Sequence, residues 1–365
     1  MSNSKQSINL DSKTVLVTGS PGFIGANLVI RLLGDPSVMK NGTVISVDNM
    51  NDYYDPALKN HRMSLIESVA AKSDVTHRFI KGDISNKELV DDIFLKYHPS
   101  VVVNLAAQAG VRYSIDHPEA YITSNIIGFF NILEACRHSY DDGSEGVLHL
   151  VYASSSSVYG GNEKIPFSED DNVDHPVSLY AASKKTNELL AHSYSKLYNI
   201  PSTGLRFFTV YGPAGRPDMF YYTATEKLKH GESISIFNHG NMERDFTYID
   251  DVIEGVVRVM KAAPMKMKGH DDLPIAPYVL YNIGGGRPEN LLTFVRILQE
   301  ELVRAGVLDE NYDFEGHWNF VGMQPGDVPV TYADTSGLEM DYGFRPVIEL
   351  RDGLRRFCEW YKLYS

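Results

Sequence analysis

Cysteine is nearly absent from this 365-residue chain: Cys136 and Cys358 are the only two, and they stand far apart. Such a pair forms neither a disulfide framework nor a zinc-binding spacing, so no metal site is expected and both thiols are read as small buried residues on helices. Long apolar runs are missing too. No stretch reaches the ~18 residues of a membrane span, and Met1 to Lys13 is polar, without the apolar centre of a signal peptide. The expected setting is cytoplasmic, with no membrane partner. Positive charge is in deficit: 34 Lys and Arg against 47 Asp and Glu leave a net −13. That excludes the basic footprint a nucleic-acid partner demands, although a phosphorylated small molecule needs only a few local arginines. Internal repeats and low-complexity segments are absent as well.

What is present is ordinary soluble composition, 43% hydrophobic and 22% charged, in a chain long enough for one large α/β domain with a smaller lobe, or for two domains. Thr14 to Thr18 reads as a strand, followed at once by Gly19-Ser20-Pro21-Gly22-Phe23-Ile24-Gly25 and an amphipathic stretch from Ala26 to Leu33. Strand, glycine turn and helix set bare backbone N–H groups and a helix N-terminus against a pyrophosphate. A second strand, Thr43 to Val47, ends in Asp48, near the ~20-residue spacing of an acid that grips a ribose 2′-hydroxyl. That acid repels a 2′-phosphate, which favours NAD over NADP. Thr76 to Lys81 is a strand ending in Gly82-Asp83-Ile84, a natural edge for an adenine, and Ser85 to Tyr97 is a helix opened by a capping pattern. Val101 to Leu105 is a continuous apolar strand, followed by the small residues Ala106-Ala107-Gln108-Ala109-Gly110; Ile115 to His138 holds a long helix carrying Asn125.

Repeated strand-helix units imply a Rossmann-type doubly wound parallel sheet, with ligands at the carboxyl ends of its strands and a smaller mixed α/β substrate-binding lobe. The expected division is a disordered N-terminus over 1–12, a mainly dinucleotide-binding domain over 13–208, and a lobe over 209–365 in which 245–283 partly returns to the first domain.

The centre of the chain concentrates chemistry. An apolar strand, Val147 to Ala153, runs into Ser154-Ser155-Ser156-Ser157-Val158-Tyr159-Gly160, so hydroxyls fall where the sheet presents its ligand. A helical stretch then opens with Tyr180 and Lys184, four apart and on one face. A free phenol has a pKa of about 10, but a nearby fixed cation favours the phenolate, and Lys184 is placed to supply it. Strand alternation predicts that Ser155 and Ser157 point the same way.

The pieces Thr18-Gly19-x-x-Gly22-Phe23-Ile24-Gly25, Asp48-Asn49, Gly82-Asp83-Ile84, Leu105-Ala106-Ala107, Ser155-Ser156-Ser157-Val158-Tyr159-Gly160, Tyr180-x-x-x-Lys184, Leu205-Arg206-Phe207-Phe208, Arg244-Asp245-Phe246 and Pro325-Gly326-Asp327 occur in this order over nearly the whole chain. The set resembles the extended short-chain dehydrogenase/reductase family of sugar-nucleotide epimerases and dehydratases, and within it the UDP-glucuronate 4-epimerases. Ser20-Pro21 inside the glycine loop departs from the family's small residues, and proline removes one N–H.

The resemblance implies an NAD cofactor held by Gly19, Gly22, Phe23, Ile24, Gly25, Asp48, Asn49, Asp83, Ile84, Leu105, Ala106, Ala107, Gln108, Asn125, Ser154, Tyr180, Lys184 and Phe207. It also implies a UDP-sugar substrate and a homodimer through the helices beginning near Ile115 and Tyr180. In the implied mechanism Tyr180 takes the sugar O4 proton while the C4 hydride passes to NAD, the 4-keto sugar turns over, and hydride and proton return. Lys184 holds the nicotinamide ribose, and Ser155 bridges O4 and Tyr180. Related dehydratases carry Asp-Glu where this chain has Ser156-Ser157, and related UDP-xylose synthases carry Glu at Ser157. Epimerisation of UDP-glucuronate and UDP-galacturonate without decarboxylation is therefore expected, with Ser157, Ser156 and Thr209 holding the carboxylate. Arg244 is the expected diphosphate ligand, with Arg216, Arg112 and Asp327 also on the substrate side; Gln324 stands where galactose epimerases use an arginine. The alternatives are an epimerase for neutral UDP-hexoses, a UDP-glucuronate decarboxylase and a nonenzymatic NAD-binding protein.

Overall fold

The computed structural model describes residues 5–269, 273–324 and 327–365. Seven strands form one sheet: β1 (Thr14–Thr18), β2 (Thr43–Asp48), β3 (Thr76–Lys81), β4 (Val101–Asn104), β5 (His149–Ser155), β6 (Ser202–Phe207) and β7 (Tyr278–Ile283). Their order is β7-β6-β5-β4-β1-β2-β3, and every neighbouring pair is parallel. The chain reverses direction across the sheet between β1 and β4, and a ligand crevice is expected at that switch point.

Strands β1 and β4 carry continuous apolar runs, Val15 to Val17 and Val101 to Val103, because both faces are covered. Val15 and Val17 belong to one core, Leu16 to the other, and the same split puts Val101 and Val103 opposite Val102. Adjacent side chains on a strand point to opposite faces, so the sheet divides two cores. The covering helices include α1 (Phe23–Gly34), α2 (Pro56–Ala70), α3 (Lys87–Tyr97), α4 (Gly128–His138) and α5 (Leu179–Tyr198). Their starts follow local chemistry: Asp55 caps α2 with Pro56 in the first turn, and Ser178 accepts from Ala181 N–H to cap α5. For α3 the capping side chain is Asn86, which accepts from Leu89 N–H, so the helix opens two residues later than the sequence pattern suggested. Both cysteines are fully buried on helices, as expected.

Three sequence expectations change. The single helix expected from Ile115 is a series of short turns, Tyr113–Asp116 and Pro118–Tyr121, then a π-helical segment Ile122–Ile127, and only then α4. Pro118 has no N–H to extend the preceding turn, and the widened turn falls around Asn125, as such turns do near functional sites. The strand after Val147 begins at His149 and continues to Ser155. Residues 5–12, expected to be loose, are built in: Lys5–Ser7 pairs antiparallel with Ala262–Pro264, and Leu10 is fully buried. The first four residues of that expectation, and Pro325 and Gly326 of the last motif, lie outside the described residues.

The second half threads back through the first. Thr209–Tyr211 runs parallel to Phe246–Tyr248, whose preceding residues pair antiparallel with Pro288–Asn290, and the helix Ile249–Met260 packs on α1. β7 then completes the edge of the large sheet beside β6. This interleaving brings loops of the second half over the carboxyl ends of the first half's strands.

Candidate active site

A cavity of about 820 Å³ opens at that end of the sheet, within the size range of small-molecule sites. One wall is backbone. Gly19 has φ +71°, and a Cβ on it would lie 2.8 Å from Ala106 N; on Gly25 a Cβ would lie 2.2 Å from Gly19 O. Only glycine lets β1, α1 and the loop after β4 meet this closely. The N-terminus of α1 has no side-chain cap and no acidic residue in its first turn, which leaves bare N–H donors and a positive dipole end for an anion. Thr18 Oγ1 accepts from Ala106 N–H at 3.1 Å and donates to Asn104 at 2.7 Å, locking the two strand ends side by side.

Asp48 lines the cavity, its Oδ1 accepting from Met50 N–H (2.7 Å) and from the Lys59 ammonium (3.3 Å). Asn49 donates to Asp83 at 2.8 Å. Burial pushes the Asp83 carboxyl up, but Asn49 and Ser85 donate to it and hold it below its ordinary value. Ile84, Leu105, Ala106, Ala107, Gln108 and Phe207 complete this wall with Phe23 and Ile24. The bare helix end, the glycine approach and the acid at the end of β2 fit a dinucleotide.

Of the expected cofactor residues, Asn125 stands behind the wall and Ser154 is within it. Asn125 is 1% exposed. Its amide pairs with both Gln108 N–H (2.7 Å) and Gln108 C=O (3.0 Å) and donates to Ser183 at 2.9 Å, so it positions the wall. Ser154 contributes to the lining, but its hydroxyl donates to Glu188 at 2.7 Å. Glu188 in turn forms a buried two-pronged pair with Arg206, at 2.8 and 2.9 Å.

Tyr180 and Lys184, one turn apart on α5, face the end of β5. Lys184 Nζ donates to Ala153 C=O at 3.0 Å, and burial lowers its pKa to about 8. The half-buried Tyr180 has its pKa raised by burial, against which the Ser155 hydroxyl and then Arg216 pull it down, while Asp218 raises it. Arg216, not foreseen in that role, is a cation whose charge favours the phenolate. Ser155 and Ser157 do meet, for a different reason from strand alternation. The strand ends at Ser155, which caps a 3₁₀ turn over Ser156–Tyr159: Ser155 Oγ accepts from Ser157 N–H (3.1 Å) and donates to Ser157 Oγ (3.2 Å).

The opposite wall is made of side chains from the second half. Thr209, Arg216, Arg244 and Asp327 all line the cavity, with Arg112 at its mouth. Arg244 donates to the carbonyls of Glu243 (2.9 Å) and Pro329 (3.1 Å), and among the described residues it has no ion-pairing carboxylate. Burial lowers its pKa and the charge of Asp327 opposes that. Arg112 pairs with Asp327 at 3.3 Å and lies 4.8 Å from the centre of the Phe237 ring. Arg216 is already engaged with Asp218, which also accepts from the Tyr53 hydroxyl at 3.1 Å. Tyr53, Lys59, Asp218 and Phe237 were missed as site residues. No spacing in the sequence marks them, and only the fold brings Tyr53 and Asp218 together.

The NAD dependent epimerase/dehydratase family matches residues 15–284. The chain is 47% identical over 356 residues to Protein CapI of Staphylococcus aureus, covering 96% of this chain and 98% of that one. It is 42% identical over 357 residues to UDP-glucuronate 4-epimerase 4 of Arabidopsis thaliana, covering 96% and 76%. A crystal structure of UDP-glucuronic acid 4-epimerase from Bacillus cereus in complex with UDP-glucuronic acid and NAD superposes with a TM-score of 0.79 at 30% identity, covering 96% of this chain and 100% of that one. With a parallel sheet whose switch point opens on a glycine-built crevice, and Tyr180 and Lys184 at its edge, the chain belongs to the NAD dependent epimerase/dehydratase family.

Proposed function

We propose that this enzyme is an NAD-dependent 4-epimerase that interconverts UDP-glucuronate and UDP-galacturonate without decarboxylating them. The observation that carries the reading is the wall beside Tyr180: Ser155, Ser156, Ser157 and Thr209 line the cavity, and none is a carboxylate. Hydroxyl donors complement a sugar carboxylate, whereas Asp or Glu there would repel it and supply the acid or base that dehydration or decarboxylation uses.

NAD, which Gly19, Gly22, Gly25 and Asp48 would hold, would supply reversible hydride transfer at the sugar C4. Tyr180, as phenolate, takes the O4 proton and later gives it back. Ser155, in range of the phenol, bridges it to O4. Lys184, anchored on Ala153 C=O, holds the nicotinamide ribose. A 4-keto uronate is a β-keto acid and loses CO2 when its carboxylate bond aligns with the carbonyl π-system; Ser156, Ser157 and Thr209 hold it out of that alignment. Arg244, free of a carboxylate partner among the described residues, meets the diphosphate, with Arg216, Arg112 and Asp327 bordering the same side.

NMR of the products from UDP-glucuronate, UDP-glucose and UDP-N-acetylglucosamine tests the reading. Conversion of the uronate to UDP-galacturonate is expected. Release of mainly UDP-xylose or a UDP-4-keto-pentose would overturn it, and faster turnover of the neutral sugars would replace it with a neutral UDP-hexose epimerase. The protein is also proposed to be a homodimer, since Ile122, Ile127, Phe130 and Leu189 are each at least 41% exposed on the helices expected to pair. Light scattering should then give about twice the 40.9 kDa chain mass.

A further inference from the structure

Helix α2 carries two buried cations three residues apart, Lys59 and Arg62, a spacing that puts them on one face. Lys59 has Asp48 as its counter-ion. Arg62, 1% exposed, has none among the described residues. Its guanidinium is instead satisfied by neutral acceptors from three separate segments: Pro21 C=O in the glycine loop (3.0 Å), the Tyr54 hydroxyl in the loop after β2 (2.6 Å), and the carbonyls of Ala214 (2.8 Å) and Gly215 (2.9 Å).

A fully buried charge without an opposite charge is costly, and neutral carbonyls offset only part of the cost. The site immediately next to Pro21 is the uncapped N-terminus of α1, where a dinucleotide's diphosphate would bring negative charge. The other two carbonyls lie directly before Arg216, in a loop where Ala214 is held at φ +51°, a conformation a residue with a Cβ adopts only when its surroundings fix it. One planar fork therefore spans the cofactor's phosphate loop and the loop that carries a cation to Tyr180.

We propose that Arg62 is a positioning residue with two separable parts: its charge favours the cofactor's diphosphate through the glycine loop, and its fork holds the Ala214–Gly215 backbone so that Arg216 sits at the sugar end of the cavity. The proposal rests on the glycine loop being the diphosphate site. A lysine keeps the charge without the fork, and a glutamine keeps donors without the charge. Removing the buried charge should weaken NAD binding roughly 10-fold or more, and should flatten its dependence on salt between about 50 and about 300 mM NaCl.

Calorimetric titration of NAD into cofactor-stripped protein, alongside NAD content at purification, separates the cases. R62Q is expected to show the loss and the flattened salt dependence. R62K is expected to keep NAD affinity near that of the unmodified protein while KM for the UDP-sugar rises several-fold. If the unmodified protein does not bind NAD, the cofactor reading itself fails. If it binds and R62Q binds equally well, or R62K is as weak as R62Q, Arg62 is a structural staple only and the proposal is overturned. R62M is the second neutral variant; if neither neutral variant is soluble while R62K is, the fold and not the cofactor needs the charge, which also overturns it.

Discussion

The two walls of the cavity are built from different materials. On the cofactor side the wall is built around peptide groups brought close by Gly19 and Gly25, with Asp48, Asp83 and apolar side chains beside them. On the substrate side they are long side chains, Arg216 and Arg244 from the second half and Arg112 from the segment after β4. A backbone wall is rigid and indifferent to what its residues carry beyond size. A side-chain wall can exchange partners: Arg216 rests on Asp218 and Arg112 on Asp327, both of which a substrate anion can displace. On the proposed reading, the difference teaches that shape would hold the cofactor and charge the sugar nucleotide.

Substitutions should separate the walls. Tyr180→Phe, at their seam, should leave both intact and cost roughly 10³-fold in turnover, with NAD content unchanged; wild-type-like turnover in the NMR assay would remove Tyr180 from the chemistry. Arg244→Met should raise the UDP-sugar KM roughly 10- to 100-fold, the loss of a charge-assisted contact, while a cofactor titration stays level. If NAD binding falls as well, the walls are not independent. Gly19→Ala should do the reverse, losing cofactor and about 1–3 kcal/mol of stability through strain at positive φ, read as a drop in Tm. The smallest effect is a pH dependence. Lys184 has a folded pKa of about 8, below its ordinary 10.5, so between those values the unfolded chain binds more protons and stability rises with pH. The cost is fully present below pH 8. Thermal melts of cofactor-free Lys184→Met should lack that rise; an unchanged slope would place its origin elsewhere.

The same division explains what could be read from the sequence. Gly19, Gly22, Gly25 and Asp48 were legible because a backbone wall forces residue types at fixed spacing within one strand-turn-helix unit. The central strands were legible to within a residue or two because burial on both faces demands continuous apolar runs. Tyr53 and Asp218 were not, since 165 residues separate them and each is unremarkable in its own loop. The bond from Ser154 to Glu188 was not legible because that partner lies on a separate helix, α5. The pull of Arg216 on the Tyr180 phenol was not legible either, because only the fold brings the two together.

Asn125 has a wider consequence. A primary amide is the one kind of side chain that carries both halves of a peptide unit, and here it pairs with Gln108 as a neighbouring strand would, while its second hydrogen reaches Ser183 on α5. The sheet is in effect continued past the end of β4 by a side chain. For anyone redesigning this enzyme, position 125 therefore behaves as a keystone without graded substitutes: aspartate lacks the donor, glutamine is one methylene too long, and a change at either end of that amide is felt by cofactor loop and catalytic helix together.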